Sequence, residues 1–111
     1  MAWYFLKDGF FSAVQNQHCT ANEVMVRARL REDIERLAAA TNTPAESVMA
    51  TPDADYAYRL KLSKHVWADY VYHAGLDIDY PNFKAACAKG ARGHAYAQVW
   101  AAMYDLQEIN R

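Results

Sequence analysis

At 111 residues the chain has the length of a single domain and leaves no room for a second. A hydrophobic fraction of 53% with 14% aromatics is that of a chain that folds around a core, which excludes an intrinsically disordered protein. Twelve Lys and Arg against thirteen Asp and Glu give a formal net charge of -1, so no global field draws the protein to nucleic acid or to a membrane surface.

In chain order, Trp3 to Leu6, the pair Asp8-Gly9 and the run Phe10 to Val14 predict a hairpin, because an apolar run, a D-G turn and a second apolar run are its strongest local signal. Gln15 to Asn22 is polar and reads as a loop. Val24, Val26, Ala28 and Leu30 then alternate with Met25, Arg27 and Arg29, the pattern of a half-buried strand. The period changes at Arg31. Leu30, Ile34, Leu37 and Ala38 fall at helical spacing, with Glu32, Asp33 and Glu35 where the helix dipole favours acids, and Pro44 ends the helix.

Ser47 to Ala50 reads as a short strand, and Thr51 to Asp55 as a turn. From Tyr56 to Leu62 alternation returns, with Tyr58, Leu60 and Leu62 on one face and Ala57, Arg59 and Lys61 on the other. Ser63 is placed to cap a helix whose apolar stripe is Val66, Trp67, Tyr70, Val71 and Ala74, with Gly75 to end it. Pro81 suits the start of another helix, continued by Phe83, Ala86 and Cys87 until Lys89-Gly90 breaks it. From Arg92 to Ile109 a last helix has Ala95, Val99, Ala102, Met103, Leu106 and Ile109 on one face, flanked by Tyr96 and Trp100.

Strands followed by helices predict an α+β fold over residues 1–111, an antiparallel sheet of four to five strands with three to four helices packed mainly on one face. Cys19 and Cys87 have no metal-type spacing and read as two thiols in a reducing compartment. The start of the chain has neither the basic region of a signal peptide nor the length of a membrane span, and the expectation is a cytoplasmic protein without a membrane partner.

The sheet face turned away from the helices is then where function is sought. Arg27, Arg29, Arg59 and Lys61 share it, and the hairpin adds Trp3 with Phe5 or Tyr4 with Leu6, according to register. Tyr56 stands at the mouth of the same strand. Arginine forks beside aromatic rings suit a phosphate and a stacked base, whereas a solvated or dimer-forming sheet face accounts for the same charges without a ligand. Tyrosines and tryptophans, eight and three of them, equally suit anchors of a protein interface.

His65, Asp69 and His73 lie along one line of a helix and form a weak metal candidate, since two full turns separate the outer pair. Asp53 with Asp55, and Asp77 with Asp79, read as turn and capping acids. His18-Cys19 is a poor nucleophile pair, because sequence neighbours rarely orient for that chemistry. No phosphate-loop, dinucleotide or hydrolase motif is present, and Gly90-Ala91-Arg92-Gly93 does not follow a strand. The expectation is a protein without catalytic residues or cofactor.

Gly9-Phe10-Phe11-Ser12-Ala13-Val14-Gln15, Val26-Arg27-Ala28-Arg29, Thr51 to Tyr56 with Tyr58-Arg59, Asp79 to Lys84, and Val99 to Gln107 together resemble a family of small uncharacterised proteins of bacteria and their phages. The resemblance covers most of the chain in order. It implies a role in conflict between phage and host, filled by a small inhibitor that binds its target without transforming it. The leading expectation is a homo-oligomeric anti-defence factor that sequesters a signalling nucleotide or similar phosphate-bearing molecule. A protein inhibitor of a host defence effector, in the manner of an anti-CRISPR protein, is the alternative, and a metal-dependent hydrolase or nuclease the third. Direct nucleic-acid binding is not expected at this net charge.

Overall fold

Alternating side chains across Ala2–Leu6 (β1) and Gly9–Val14 (β2) build an antiparallel hairpin with Leu6 opposite Gly9. The computed structural model describes residues 1–86 and 90–111, with backbone alone at 84 and 85. Its hairpin turn is Lys7-Asp8, one residue earlier than the expected Asp8-Gly9. Gly9 belongs to the strand, and its φ is not positive. What requires glycine there is space: a Cβ would lie 2.8 Å from Cε2 of Phe11 and 3.3 Å from Cγ of Asp33.

β3, Glu23–Ala28, pairs with β2, and the chain then turns into α1, Arg31–Ala40. The helix ends through Asn42, which takes a left-handed φ of 54° just past the Thr41 cap. That stop comes two residues before Pro44. The expected short strand is a 3-10 turn at Ala45–Ser47 followed by only two strand residues, Met49–Ala50 (β4). β5 is Tyr58–Ser63, so Tyr56 precedes the strand it was expected to open. Sheet order is β1-β2-β3-β5-β4 with every pairing antiparallel. α2, Lys64–Leu76, opens on Ser63, whose Oγ accepts the Val66 N–H at 3.1 Å. It runs through Gly75 and closes on Asp77, because a glycine inside the last turn weakens a helix without ending it.

The fold is α+β, with α1 and α2 on one face of the sheet. Phe11 and Ala13 from β2, Val24, Val26 and Ala28 from β3, and Leu60 and Leu62 from β5 meet Ile34, Leu37 and Ala38 of α1 and Trp67 of α2. Tyr70 and Val71 pack at the edge of this cluster, while Val66, which the expected stripe included, is exposed. Edge-on contacts from Tyr4 and Phe11 to the Trp67 ring, at 5.0 and 5.8 Å between centroids, tie the hairpin to α2.

Asp33 ties the hairpin to α1. Phe10 lies beyond the end of the β2–β3 ladder, where β3 has already turned away, and its N–H donates instead to the Asp33 carboxylate at 3.1 Å. That carboxylate is buried, with Arg36 3.7 Å from its other oxygen.

The described chain divides into two compact units, Met1–Ile78 and Asp79–Arg111. In the second, α3 (Phe83–Ala86) packs on α4 (Gly90–Ile109), with Phe83 stacked on Tyr96 at 5.6 Å. Cys87 and Lys89 lie outside the described residues. The buried positions of α4 are Gly93 and Tyr96. Met103, Leu106 and Ile109, expected on its buried face, are exposed. A four-residue helix is about one turn long and contacts about one turn of its twenty-residue neighbour. Among the described residues no helix is long and apolar enough to cross a membrane.

Gly9→Ala should cost about 1–3 kcal/mol by overpacking, and Asp33→Ala about 1.5–3 kcal/mol by removing a charged acceptor, each read from urea unfolding. Burial, aided by the charge of Asp8, raises the Tyr70 phenol above its ordinary range. The native state therefore holds that proton more tightly than the unfolded chain. Stability should be full below about pH 10 and fall as pH rises through the raised value, an effect that Tyr70→Phe should remove.

Candidate anion-binding face

Register places the basic residues before any side-chain contact is considered. Trp3 pairs with Ser12, Ser12 with Arg27 and Arg27 with Arg59, so these four stand in one row across the sheet on the face away from α1 and α2. Phe5 opposite Phe10 forms the neighbouring row, its rings stacked at 4.7 Å. Met25 opposite Lys61 forms the row on the other side.

The segment Thr51–Ala57 folds over this face. Thr51 closes it on itself, its Oγ1 donating to the Tyr56 carbonyl and its N–H to the Ala57 carbonyl, both at 2.7 Å. Tyr56 is thereby buried, 4% exposed, with Arg27 and Arg29 over its ring at 4.6 and 4.2 Å from the centroid. Stacking of this kind is worth about 0.5–2 kcal/mol per pair.

Asp55 brings the third arginine in. Arg59 Nη2 donates to Oδ1 of Asp55 at 2.9 Å, Arg27 Nη1 lies 3.8 Å from Oδ2, and Arg29 Nη1 donates to the Asp55 carbonyl at 2.6 Å. Arg27 is 8% exposed. Its Nη2 donates to Ser12 Oγ at 2.8 Å, while its buried Nε–H finds no acceptor. Two guanidiniums therefore meet the Asp55 carboxylate and a third its backbone carbonyl, which leaves the four side chains with a formal charge of +2. The Asp55 side chain is 65% exposed, so its ion pairs are worth only about 0.2–1 kcal/mol each.

Of the residues expected on this face, Arg27, Arg29, Tyr56 and Arg59 come together. Lys61 lies on the same face about 7 Å further along β5, its Nζ 3.5 Å from the His18 carbonyl. Trp3 stands on the arginine row but two strands from Arg27, its indole donating to Met1 Sδ at 3.1 Å. Ser12 and Asp55 belong to the cluster and were not expected there. A serine within an apolar strand and an acid within a turn have ordinary structural duties, and Asp55 also performs one by accepting the Tyr56 N–H at 3.0 Å.

The two weaker candidates stand elsewhere. His73 Nε2 is 3.5 Å from Asp69, and among the described residues no group of three His, Cys, Asp or Glu can hold a metal ion. Cys19 Sγ donates to Asn16 Oδ1 at 3.5 Å while His18 faces Gln17, so the two neighbours do not meet as a nucleophile pair. Glu23 accepts the Thr20 N–H at 2.9 Å, which holds its carboxyl below the usual range and closes the loop before β3.

Comparison of the chain with protein-family models, curated proteins and solved structures returns no match. The arrangement itself has clear chemistry. Guanidiniums are always protonated and present fixed forks of donors, so they recognise an anion and cannot serve as a base.

Proposed function

We propose that this protein is a non-catalytic binder that captures a phosphate-bearing small molecule on the arginine face of its sheet. One observation carries the reading: Arg27, Arg29 and Arg59 gather at Asp55, two on its carboxylate and one on its carbonyl, with Arg27 and Arg29 over the Tyr56 ring and two positive charges in excess. Phosphate oxygens match guanidinium forks, and the Phe5–Phe10 stack on the same face offers an apolar neighbour for a base. Sequestration needs affinity and abundance alone, which a rigid sheet with its binding groups already in place supplies. Together with the phage-type sequence resemblance, this describes an anti-defence factor, acting as a homo-oligomer in the host cytoplasm, that withdraws a signalling nucleotide.

The test is native mass spectrometry of protein purified from cells, followed by denaturation to release any passenger. A nucleotide-like mass is expected from the wild type and none from Arg27→Ala/Arg59→Ala. Arg59→Ala alone, which spares the more deeply buried Arg27 guanidinium, should weaken calorimetric binding of the released nucleotide by about tenfold to a hundredfold. Unchanged binding in a folded double variant sinks the site.

A second reading has its own observation. Trp100, Met103, Tyr104 and Leu106 are exposed on α4, with Trp100 and Tyr104 stacked at 5.4 Å, and such aromatics anchor protein partners. If the protein inhibits a host effector through them, Trp100→Ala/Tyr104→Ala should abolish its complex with that effector on gel filtration. Added nucleotide should have no effect on the same complex.

A further inference from the structure

Asp55 and Tyr56 already present to the arginines what a phosphorylated aromatic compound would present: a carboxylate between guanidiniums and a ring beneath them. We infer that this pair is an internal occupant of the site, and that the ligand is a dianionic phosphate monoester which enters by displacing the Asp55 carboxylate. The inference rests on the anion-binding reading above and adds the charge of the ligand and its mode of entry.

Charge decides the class. A monoanion that takes the place of Asp55 exchanges one negative charge for another among the same three guanidiniums and gains little. A phosphate monoester, whose second ionisation lies near pH 6, brings two charges at neutral pH and neutralises more of the cluster. A phosphodiester brings one per phosphate. The terminal phosphate of a nucleotide is therefore favoured over the internal linkages of RNA or DNA.

Geometry permits the exchange. The Asp55 side chain is 65% exposed, so an anion reaches the Arg59 end of the cluster from solvent. Arg27 is held independently by Ser12, and its place in the row is set by strand pairing, so its guanidinium keeps its position when the carboxylate leaves. The segment that carries Asp55 is closed by two hydrogen bonds from Thr51, outside the arginine cluster. Loosening that closure should raise apparent affinity, because the competent state becomes more populated.

The experiment measures calorimetric affinity at pH 7.5 for two probes that share a ring and differ in charge, phenyl phosphate and its methyl ester. Wild-type protein should bind phenyl phosphate at least tenfold tighter than the ester. Asp55→Asn, which keeps an acceptor for Arg59 and removes the competing charge, should bind both probes about tenfold tighter than wild type. Thr51→Val leaves every charge in place and should strengthen phenyl phosphate binding several-fold, which a purely field effect of Asp55 would not produce. It also serves if Asp55→Asn does not fold. Equal wild-type affinity for the two probes overturns the assignment of ligand charge. Binding unchanged or weakened in the folded variants overturns displacement while the anion site stands. Phenyl phosphate binding by none of the proteins overturns the anion reading and this inference with it.

Discussion

The register of β3 between β2 and β5 is the constraint on which both faces of the sheet depend. Val24, Val26 and Ala28 enter the core only if Met25 and Arg27 point the other way, and a slip of one residue would exchange Val26 for Arg27 beneath α1. An unpaired guanidinium there would cost several kcal/mol, so core burial and the arginine row are selected by the same pairing. Asp33 secures this arrangement at its weak point. Where β3 leaves the sheet, its carboxylate takes the Phe10 N–H that the ladder no longer serves.

The second face is more closely built than a solvated sheet surface needs. Ser12, Met25, Arg27 and Tyr56 are all buried on it or over it, although α1 and α2 pack on the opposite face. A buried guanidinium is tolerated because Ser12, the Tyr56 ring and Asp55 each compensate part of its lost hydration. The compensation is uneven. Ser12 is internal and fixed by its strand, whereas Asp55 is exposed and held by a turn, so Arg27 has one buried, fixed partner and one partner open to solvent. Such a division suits binding: the groups that recognise the ligand are ordered beforehand, and little ordering remains to oppose association.

The second unit obeys a different economy. α4 buries Gly93 and Tyr96, the latter against Phe83 of α3, while aromatic and aliphatic side chains along its later turns are exposed. Its apolar residues are spread around the helix more evenly than along one stripe, so helical spacing alone did not identify which of them are covered. Tyr96, expected on the flank, is the buried one, because the Phe83 ring stacks on it.

Local sequence determined the elements and the side of the sheet each strand residue faces, since periods of two and near 3.6 are properties of the backbone and need no partner. The Arg27 and Arg59 side chains were legible as sharing a face for that reason, whereas Arg29 reaches it from beyond the end of β3; the Ser63 cap was legible because it reaches only three residues along the chain. The hairpin turn was misplaced by one residue because Gly9 answers to Phe11 and Asp33, packing that the dipeptide Asp8-Gly9 does not encode. Tertiary structure alone decided that Asp55 and Tyr56 fold back onto arginines 26 to 29 residues earlier in the chain, and that Lys61 and Trp3 stay apart from them. Strand pairing sets those distances. A carboxylate in a turn becomes a counter-ion only when β3 and β5 lie side by side.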